Sequence, residues 1–357
     1  MALPAQSWVA RIGVGKAGIG DRSLSSTLGM WDRWVEHLAK MVWVTIAVFV
    51  GAIVLGELSL RWLLGFGNPP LYIADDRIGY LLAPNQNIRR FGNRIQINAY
   101  SMRGADISPS PDTATVRVLL LGDSIANGGW WTDEDETISA TIADLLRQNT
   151  GVRSNVEVLN ASAHSWGPRN ELAYLEKFGH FQSRAVVLLI NTDDLFATAP
   201  TALPVGRDRN YPDRRPWCAW AEVFGRYLMQ TPVIPELERV RQEGGDRVGK
   251  NLAAIDRIQE ILTSAEIPLL VAMTPLRREL EESGSRDYEM AARVRLLEFT
   301  QERNLPYLDF LPIFRDLGSP EPLYRDTIHL SREGNQQVSE HITRFLETID
   351  IDRATIR

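Results

Sequence analysis

Two short motifs, about 200 residues apart, carry residue types suited to nucleophilic catalysis. The first is Gly-Asp-Ser at 122–124, which follows the apolar run 116–121 (VRVLLL). A serine at the end of a buried strand lies at the edge where open α/β sheets bind ligands. A helix beginning there offers unpaired backbone N–H groups, which can stabilise a developing oxyanion. Serine alone is a weak nucleophile, so this chemistry also needs an adjacent base.

The base must be one of five histidines, and position 329 fits best. His329 ends the second motif, Asp-Thr-Ile-His at 326–329. A carboxylate three residues before an imidazole can hold its Nδ1 and fix its tautomer. We therefore predict Ser124 as nucleophile, His329 as base and Asp326 as orienting acid. His164, after the second predicted strand, remains a possible base. The other histidines, which lie before the apolar segment or away from predicted strand ends, are His37, His180 and His341.

The segments between the motifs predict the sheet that must bring them together. Continuous apolar runs alternate with stretches of helical periodicity, which indicates a parallel sheet covered on both faces. The predicted fold is a flavodoxin-like, three-layer α/β/α arrangement with a mostly parallel five-stranded sheet. Its predicted strands are 116–121, 156–159, 185–190, 269–273 and 307–310; its predicted helices are 136–148, 170–178, 252–265, 288–301 and 331–349. Each motif alone has an ordinary reading, a helix cap or a surface ion pair; their combination with this sheet favours catalysis.

One stretch before the sheet is apolar enough to suggest a membrane helix. Residues 41–56 carry no charge, and apolar residues continue after Glu57. A spanning helix needs about 20 mainly apolar residues, and Trp43 and Trp62 could mark the two interfaces. A signal peptide would be unusual after 40 preceding residues. A buried core helix would normally show a polar stripe, which is missing here.

Basic residues near the ends of this segment predict its orientation. Arg22, Arg33 and Lys40 precede it, whereas Arg61 alone lies in the twenty residues after Gly56. This bias places the N-terminus in the cytoplasm and the remainder on the extracytoplasmic side, periplasmic or at the cell surface. The predicted parts are a cytoplasmic tail (1–37), a single transmembrane anchor (38–66), a connector with a short hairpin (67–115) and the sheet domain (116–357).

Two parts of this plan carry further expectations. The connector alternates over 87–98 in the manner of a hairpin, with Gly92-Asn93 at the turn. Residues 196–247 interrupt the strand–helix rhythm and are rich in proline and arginine. A long insertion of this kind can form a lid or a substrate wall, or a solvated loop with a small core around its tryptophans.

Composition argues against other classes of function. The formal net charge is −6, so no global basic field favours nucleic acid as a partner. The single cysteine, Cys218, cannot form an internal disulfide, and no histidine pair has zinc-motif spacing. A serine mechanism needs no metal or organic cofactor, so we expect none.

These two motifs and the sheet between them make the chain resemble the SGNH (GDSL-like) hydrolase family over about residues 116–348. The resemblance rests on spaced sequence motifs, here called blocks. Gly-Asp-Ser at 122–124 matches the first block, and Asp326 with His329 matches the last. The resemblance implies that Ser124 is the nucleophile and that its backbone N–H contributes to an oxyanion hole. The second block usually supplies a glycine N–H, and Ser165 stands at that position.

The third block departs from the family pattern Gly-x-Asn-Asp, whose asparagine donates to the oxyanion. Here the sequence reads Asn191-Thr192-Asp193-Asp194, which puts Asp193 at the asparagine position. An ionised Asp193 would repel an oxyanion. Either Asn191 takes the donor role through a shifted turn, or the hole has backbone donors only. The loss of one such donor typically costs about 10²–10³-fold in kcat.

The segment before the nucleophile is similar to that of anchored bacterial members of this class, which carry a connector like Gly79-Tyr80 and Arg89-Arg90. That resemblance implies an association with envelope polysaccharide modification, and hence with its machinery. The predicted function is a serine esterase acting on O-acyl esters, acetyl above all, of envelope or exported carbohydrate. The alternatives left open are an O-acyltransferase that uses the same acyl-enzyme, and an inactive fold that only binds.

Overall fold

The computed structural model describes residues 22–112, 115–149 and 155–349, in two compact units, Met1–Gly56 and Glu57–Arg357. Most of the predicted tail therefore lies outside the described residues. The strands are β1 (Tyr72–Asp75), β2 (Gly79–Leu82), β3 (Gln86–Arg90), β4 (Asn93–Ile97), β5 (Val116–Gly122), β6 (Val156–Ser162), β7 (Ala185–Asn191), β8 (Leu269–Thr274) and β9 (Tyr307–Asp309). The α-helices are α1 (Arg22–Trp62), α2 (Ser124–Asn127), α3 (Ile138–Asn149), α4 (Pro168–Phe178), α5 (Ala219–Val223), α6 (Pro235–Arg241), α7 (Arg247–Ser264), α8 (Asp287–Glu302), α9 (Phe310–Asp316) and α10 (Arg332–Thr348). Single turns of 3₁₀-helix cover Glu134–Glu136, Thr192–Phe196, Arg277–Leu280 and Glu321–Leu323, and a π-helical turn covers Phe224–Leu228.

The helix α1 contains the apolar segment seen in the sequence. Its stretch Met30–Trp62 is long and apolar enough to cross a membrane, and its large apolar side chains are exposed. The helix ends at Trp62 rather than near residue 66. Gly65 adopts a left-handed backbone (φ 74°), and a Cβ there would lie 2.0 Å from the Arg89 carbonyl oxygen. Only glycine fits this position, so the chain leaves the helix here.

The unit Glu57–Arg357 is built around a parallel sheet of order β6-β5-β7-β8-β9. All four strand pairs in this sheet are parallel. Along β5, Leu119 and Leu121 enter one buried layer, and Val118 and Leu120 enter the other. The first layer contains α4, α7 and α8, and the second contains α3, α9 and α10. The predicted five-stranded, three-layer fold is confirmed.

The predicted connector shares a core with the sheet instead of linking two bodies. It forms two antiparallel hairpins, β1–β2 and β3–β4, of which only the second was expected. Side chains such as Tyr80, Ile88 and Ile97 are buried in the same layer as Leu119. The residue pair Arg90–Asn93 closes the second hairpin.

The turn of that hairpin lies one residue earlier than predicted. Phe91 (φ 47°) and Gly92 (φ 89°) form it, whereas Gly92-Asn93 was expected. A two-residue turn in which both residues have a positive φ has a backbone twist that matches the twist of the two flanking strands. Asn93 is thereby left in β4, paired with Arg90.

A buried arginine in the connector holds the loop that follows the nucleophile motif. The Arg103 guanidinium donates to the carbonyl oxygens of Asn127 (3.0 Å), Gly129 (2.5 Å) and Thr132 (2.7 Å), and to the Glu134 carboxylate (3.0 Å). Its side chain is 1% exposed. The connector therefore fixes the backbone on the C-terminal side of Ser124.

We expect Arg103→Ala to lower the free energy of unfolding by about 3–5 kcal/mol, because it strands a carboxylate and three carbonyl groups in the interior. Chemical denaturation of the full chain in detergent would measure the change. The control is Arg257→Ala, which removes an exposed ion pair with Glu260 and should cost less than about 1 kcal/mol. Equal effects of the two substitutions would contradict this role of Arg103.

Candidate active site

Ser124 lies where the strand β5, between β6 and β7 in the sheet, turns into the short helix α2. Gly122 is the last residue of the strand, and a Cβ there would lie 2.7 Å from the Leu189 carbonyl oxygen. Asp123 caps α2, because its Oδ1 accepts a hydrogen bond from Ile125 N at 2.8 Å. The Gly-Asp-Ser order thus gives a close strand contact, a helix cap and a hydroxyl at the carboxyl edge of the sheet.

The structure brings the three residues of the predicted catalytic group together. His329 Nε2 lies 2.9 Å from Ser124 Oγ, and His329 Nδ1 lies 2.9 Å from Asp326 Oδ2. The Asp326 carboxylate also accepts hydrogen bonds from the backbone N–H groups of Ile328 (3.0 Å) and His329 (2.8 Å). These contacts fix both the loop and the imidazole ring. The imidazole is placed to remove the serine proton, and the carboxylate to stabilise the resulting imidazolium.

Hydrogen bonds keep Asp326 ionised. Partial burial opposes ionisation, but the N–H groups of Ile328 and His329 and the imidazole outweigh it and lower the pKa of Asp326. The Asp326 side chain is 44% exposed and that of His329 is 21% exposed. Water therefore has access to this side of the group.

Trp131 covers the imidazole and was missed in the sequence. Its ring centre lies 4.5 Å from that of His329, and Arg325 packs on Trp131 (4.7 Å) and on Trp130 (5.0 Å). These contacts join the loop after α2 to the histidine loop. The sequence signal that could have identified Trp131 was the pair of adjacent tryptophans in a polar stretch just after the nucleophile motif.

His164 is close to this group but is a poor base. Its ring contacts Trp131 at 5.8 Å. Desolvation, followed by the charges of His329 and Arg103, lowers the pKa of His164 to about 4. Among the described residues, Ser124 has a hydrogen bond to His329 and none to His164, so the geometry favours His329 as the base.

The loop of the second sequence block is held from two sides. The hydroxyl of Tyr80, on β2, donates to the His164 carbonyl oxygen (2.6 Å). The carbonyl oxygen of Tyr80 accepts a hydrogen bond from Trp166 Nε1 (3.1 Å). Tyr211, in the insertion, donates to Ser165 Oγ at 3.0 Å. Ser165 has a φ of 57°, in the left-handed region that favours glycine. This conformation explains why the family places a glycine at that position.

Asn191, which the sequence left open as a shifted donor to the oxyanion, lines the cleft beside Ser124 but has its amide engaged by two carboxyl groups. Asn191 Nδ2 donates to Asp123 Oδ2 at 2.9 Å and to Asp194 Oδ2 at 2.8 Å. Asn191 is 1% exposed. Because an amide has two N–H donors and both are engaged, Asn191 orients the nucleophile motif and leaves no side-chain donor for an oxyanion.

Buried carboxyl groups lie near this amide, and burial raises their pKa values. Burial raises the pKa of Asp123 to about 6. Burial, followed by the neighbouring acidic groups, raises the pKa values of Asp194 and Glu171 well above their usual range. Burial thus shifts the ionisation of all three carboxyl groups to higher pH than usual.

A cleft of about 670 Å³ opens in front of Ser124 and His329. Asp193 lines it, and burial raises the pKa of this carboxyl above its usual value. The insertion 196–247 forms one wall of this cleft. Its contributing side chains include Thr198, Thr201, Tyr211, Leu237 and Arg241. Trp217 of the insertion is exposed instead of forming a core.

Comparison with known proteins places the chain in a family. Residues 120–337 match the model of the GDSL-like Lipase/Acylhydrolase family. An acetylxylan esterase from Geobacillus stearothermophilus is similar at 14% identity and a TM-score of 0.42, covering 70% of this chain and 99% of that one. A GDSL-like lipase from Bacteroides thetaiotaomicron is similar at 12% identity and a TM-score of 0.38, covering 68% and 93%. No curated protein is significantly similar to the chain.

The family match spans more than half of the chain and contains both motifs. The chain therefore belongs to the GDSL-like lipase/acylhydrolase family and is an acyl-ester hydrolase of that family.

Proposed function

We propose that this protein is a membrane-anchored serine esterase that removes O-acyl groups, acetyl above all, from cell-envelope or exported carbohydrate. The observation that carries the proposal is the hydrogen-bonded series Ser124–His329–Asp326 at the edge of a cleft. It supplies a nucleophile, a base and an orienting carboxylate in contact.

In the proposed reaction, Ser124 Oγ attacks the ester carbonyl carbon while His329 Nε2 takes the hydroxyl proton. The tetrahedral oxyanion is stabilised by the backbone N–H groups of Ser124 and Ser165. His329 then gives its proton to the leaving alcohol oxygen, and the acyl group stays on Ser124. Water, deprotonated by His329, attacks this acyl-enzyme and releases the carboxylic acid and free Ser124.

The character of the cleft supports a small acyl group on a polar alcohol. Hydroxyl and charged groups of Thr198, Thr201, Asp193 and Arg241 line its walls. A volume of about 670 Å³ accommodates a sugar unit with its substituents. The exposure of Asp326 and His329 gives water access to the acyl-enzyme and so supports hydrolysis.

The proposed location follows from α1. The stretch Met30–Trp62 has the length and composition of a membrane span. More basic residues precede the apolar segment than follow it, which favours a cytoplasmic N-terminus and an extracytoplasmic hydrolase unit. Envelope glycans and their modifying machinery would then be the neighbours of this enzyme.

The first test follows hydrolysis of p-nitrophenyl acetate and acetate release from an O-acetylated oligosaccharide. We expect Ser124→Ala and His329→Ala each to lower kcat by at least about 10³-fold, because each removes a member of one catalytic group. We expect Asp326→Asn to lower kcat by about 10³–10⁴-fold, through loss of the correct tautomer.

His164→Asn is the matched control for the base and should retain activity. Loss of activity in His164→Asn together with full activity in His329→Ala would assign the base to His164 instead. Acetate release from the ester dye but from no acylated glycan would reject the carbohydrate part of the proposal.

The second test concerns Asp193, at the position of the family asparagine. An ionised carboxylate beside the oxyanion opposes its formation, whereas an amide can donate to it. We expect Asp193→Asn to raise kcat by about 10-fold or more once the pH exceeds the raised pKa of Asp193. Below that pKa the carboxyl group is neutral, so the ratio of variant to parent kcat should fall towards one.

A pH profile of this kcat ratio cancels the pH effects that are common to the variant and the parent. The control Asp76→Asn changes an exposed carboxylate in the β1–β2 turn and should leave the ratio at one at every pH. A ratio for Asp193→Asn that does not change with pH would contradict this role for the Asp193 charge.

A further inference from the structure

The insertion carries a group of exposed apolar side chains that the catalytic site does not use. We call these side chains the apolar patch: Trp217, Phe224, Tyr227, Leu228, Met229 and Val233. Their exposed fractions run from 52% at Phe224 to 87% at Trp217. Single exposed apolar residues are ordinary, but a concentration in one short segment marks an interaction surface.

Hydrogen bonds fix the segment bearing the patch to the last turn of α1. The Glu57 carboxylate accepts from the backbone N–H groups of Ala219 (2.8 Å) and Trp220 (3.1 Å), at the start of α5. The Arg61 guanidinium donates to the Trp217 carbonyl oxygen at 3.5 Å. The segment that bears the patch is therefore attached to Glu57 and Arg61, which are among the first residues of the unit Glu57–Arg357.

A buried ion pair holds the same segment from its other side. Glu222 on α5 accepts from Gly67 N at 2.6 Å and pairs with Arg90 of β3. Both side chains are almost fully buried. Phe66 packs edge-on against Tyr227, with ring centres 6.2 Å apart. The patch thus has a fixed place beside the residues that follow α1.

Charge around the patch favours an anionic surface. Between positions 207 and 226 there are five arginines against three acidic residues. One of the acidic residues, Glu222, is buried and pairs with both Arg90 and Arg226, whereas Arg214 is 88% exposed. Arg209 donates to the carbonyl oxygens of Arg226 (2.6 Å) and Met229 (3.1 Å), which places a guanidinium against the patch itself.

We propose that the apolar patch inserts into the interfacial layer of the bilayer that α1 spans, with the surrounding arginines on anionic lipid headgroups. Aromatic residues with arginine are the composition that favours this layer. Basic side chains near the surface add attraction to anionic lipid. The inference rests on the proposed membrane anchor and is independent of the esterase chemistry. Insertion gives the hydrolase unit a second lipid contact beside the end of α1.

Site-directed spin labelling of the full chain tests this proposal. The background is Cys218→Ser, which keeps an acceptor for Ala221 N at the start of α5. Single labels replace Leu228 in the patch, Val294 on α8 as an exposed apolar control, and Val50 in α1 as the anchor reference. The chain is reconstituted in vesicles of equimolar phosphatidylcholine and phosphatidylglycerol. Accessibility to oxygen, which enters lipid, is compared with accessibility to a nickel chelate, which stays in water.

We expect the oxygen-to-nickel accessibility ratio at Leu228 to exceed that at Val294 by roughly threefold or more, as for a side chain in the acyl–headgroup boundary. A ratio at Leu228 equal to that at Val294, with a high ratio at Val50, would overturn the inference and leave the anchor intact. Low accessibility to both reagents at Leu228 would indicate a second copy or a partner protein on the patch, and would also overturn it.

A low ratio at Val50 would reject the anchor, and the inference with it. Ester hydrolysis measured on the same vesicles separates these outcomes from failure of the proposed esterase, because none of the labelled positions lies in the catalytic cleft.

Discussion

The hydrogen bond between Ser124 Oγ and His329 Nε2 joins residues 205 positions apart, and the fold is organised so that it can form. Parallel strands end at a common edge, so motifs that follow different strands meet there. The inner strand β5 leads into the nucleophile, and the segment after β9 carries the base. Gly122 allows β5 to approach the Leu189 carbonyl oxygen closely, which a larger residue would prevent.

The connector and the insertion complete the site, although neither belongs to the sheet. Tyr80 from the connector and Tyr211 from the insertion hold the loop of Ser165, and their rings lie 4.9 Å apart. Arg103 holds the loop that carries Trp131. At the third sequence block, Asn191 binds two carboxyl groups and Asp193 lines the cleft.

The sequence predicted the sheet well because its three inner strands, β5, β7 and β8, are mainly apolar runs buried on both faces. It predicted less of the connector, since β1 and β2 have only four residues each and give a weak periodic signal. The sequence placed Ser124, Asp326 and His329 at strand ends, where the structure brings them together. The partners of Asn191 and Trp131 depend on tertiary contacts between distant segments, which spacing along one chain does not encode.

The most direct test of the account is to identify the residue that carries the acyl group during turnover. The purified full chain would be mixed with p-nitrophenyl acetate, quenched in acid within the first turnovers, digested, and examined by mass spectrometry. If Ser124 is the nucleophile, one acetyl group will be found on the peptide containing Ser124, formed in a burst and absent from Ser124→Ala. An acetyl group on another residue during turnover, or turnover by Ser124→Ala at the parent rate, would contradict this assignment.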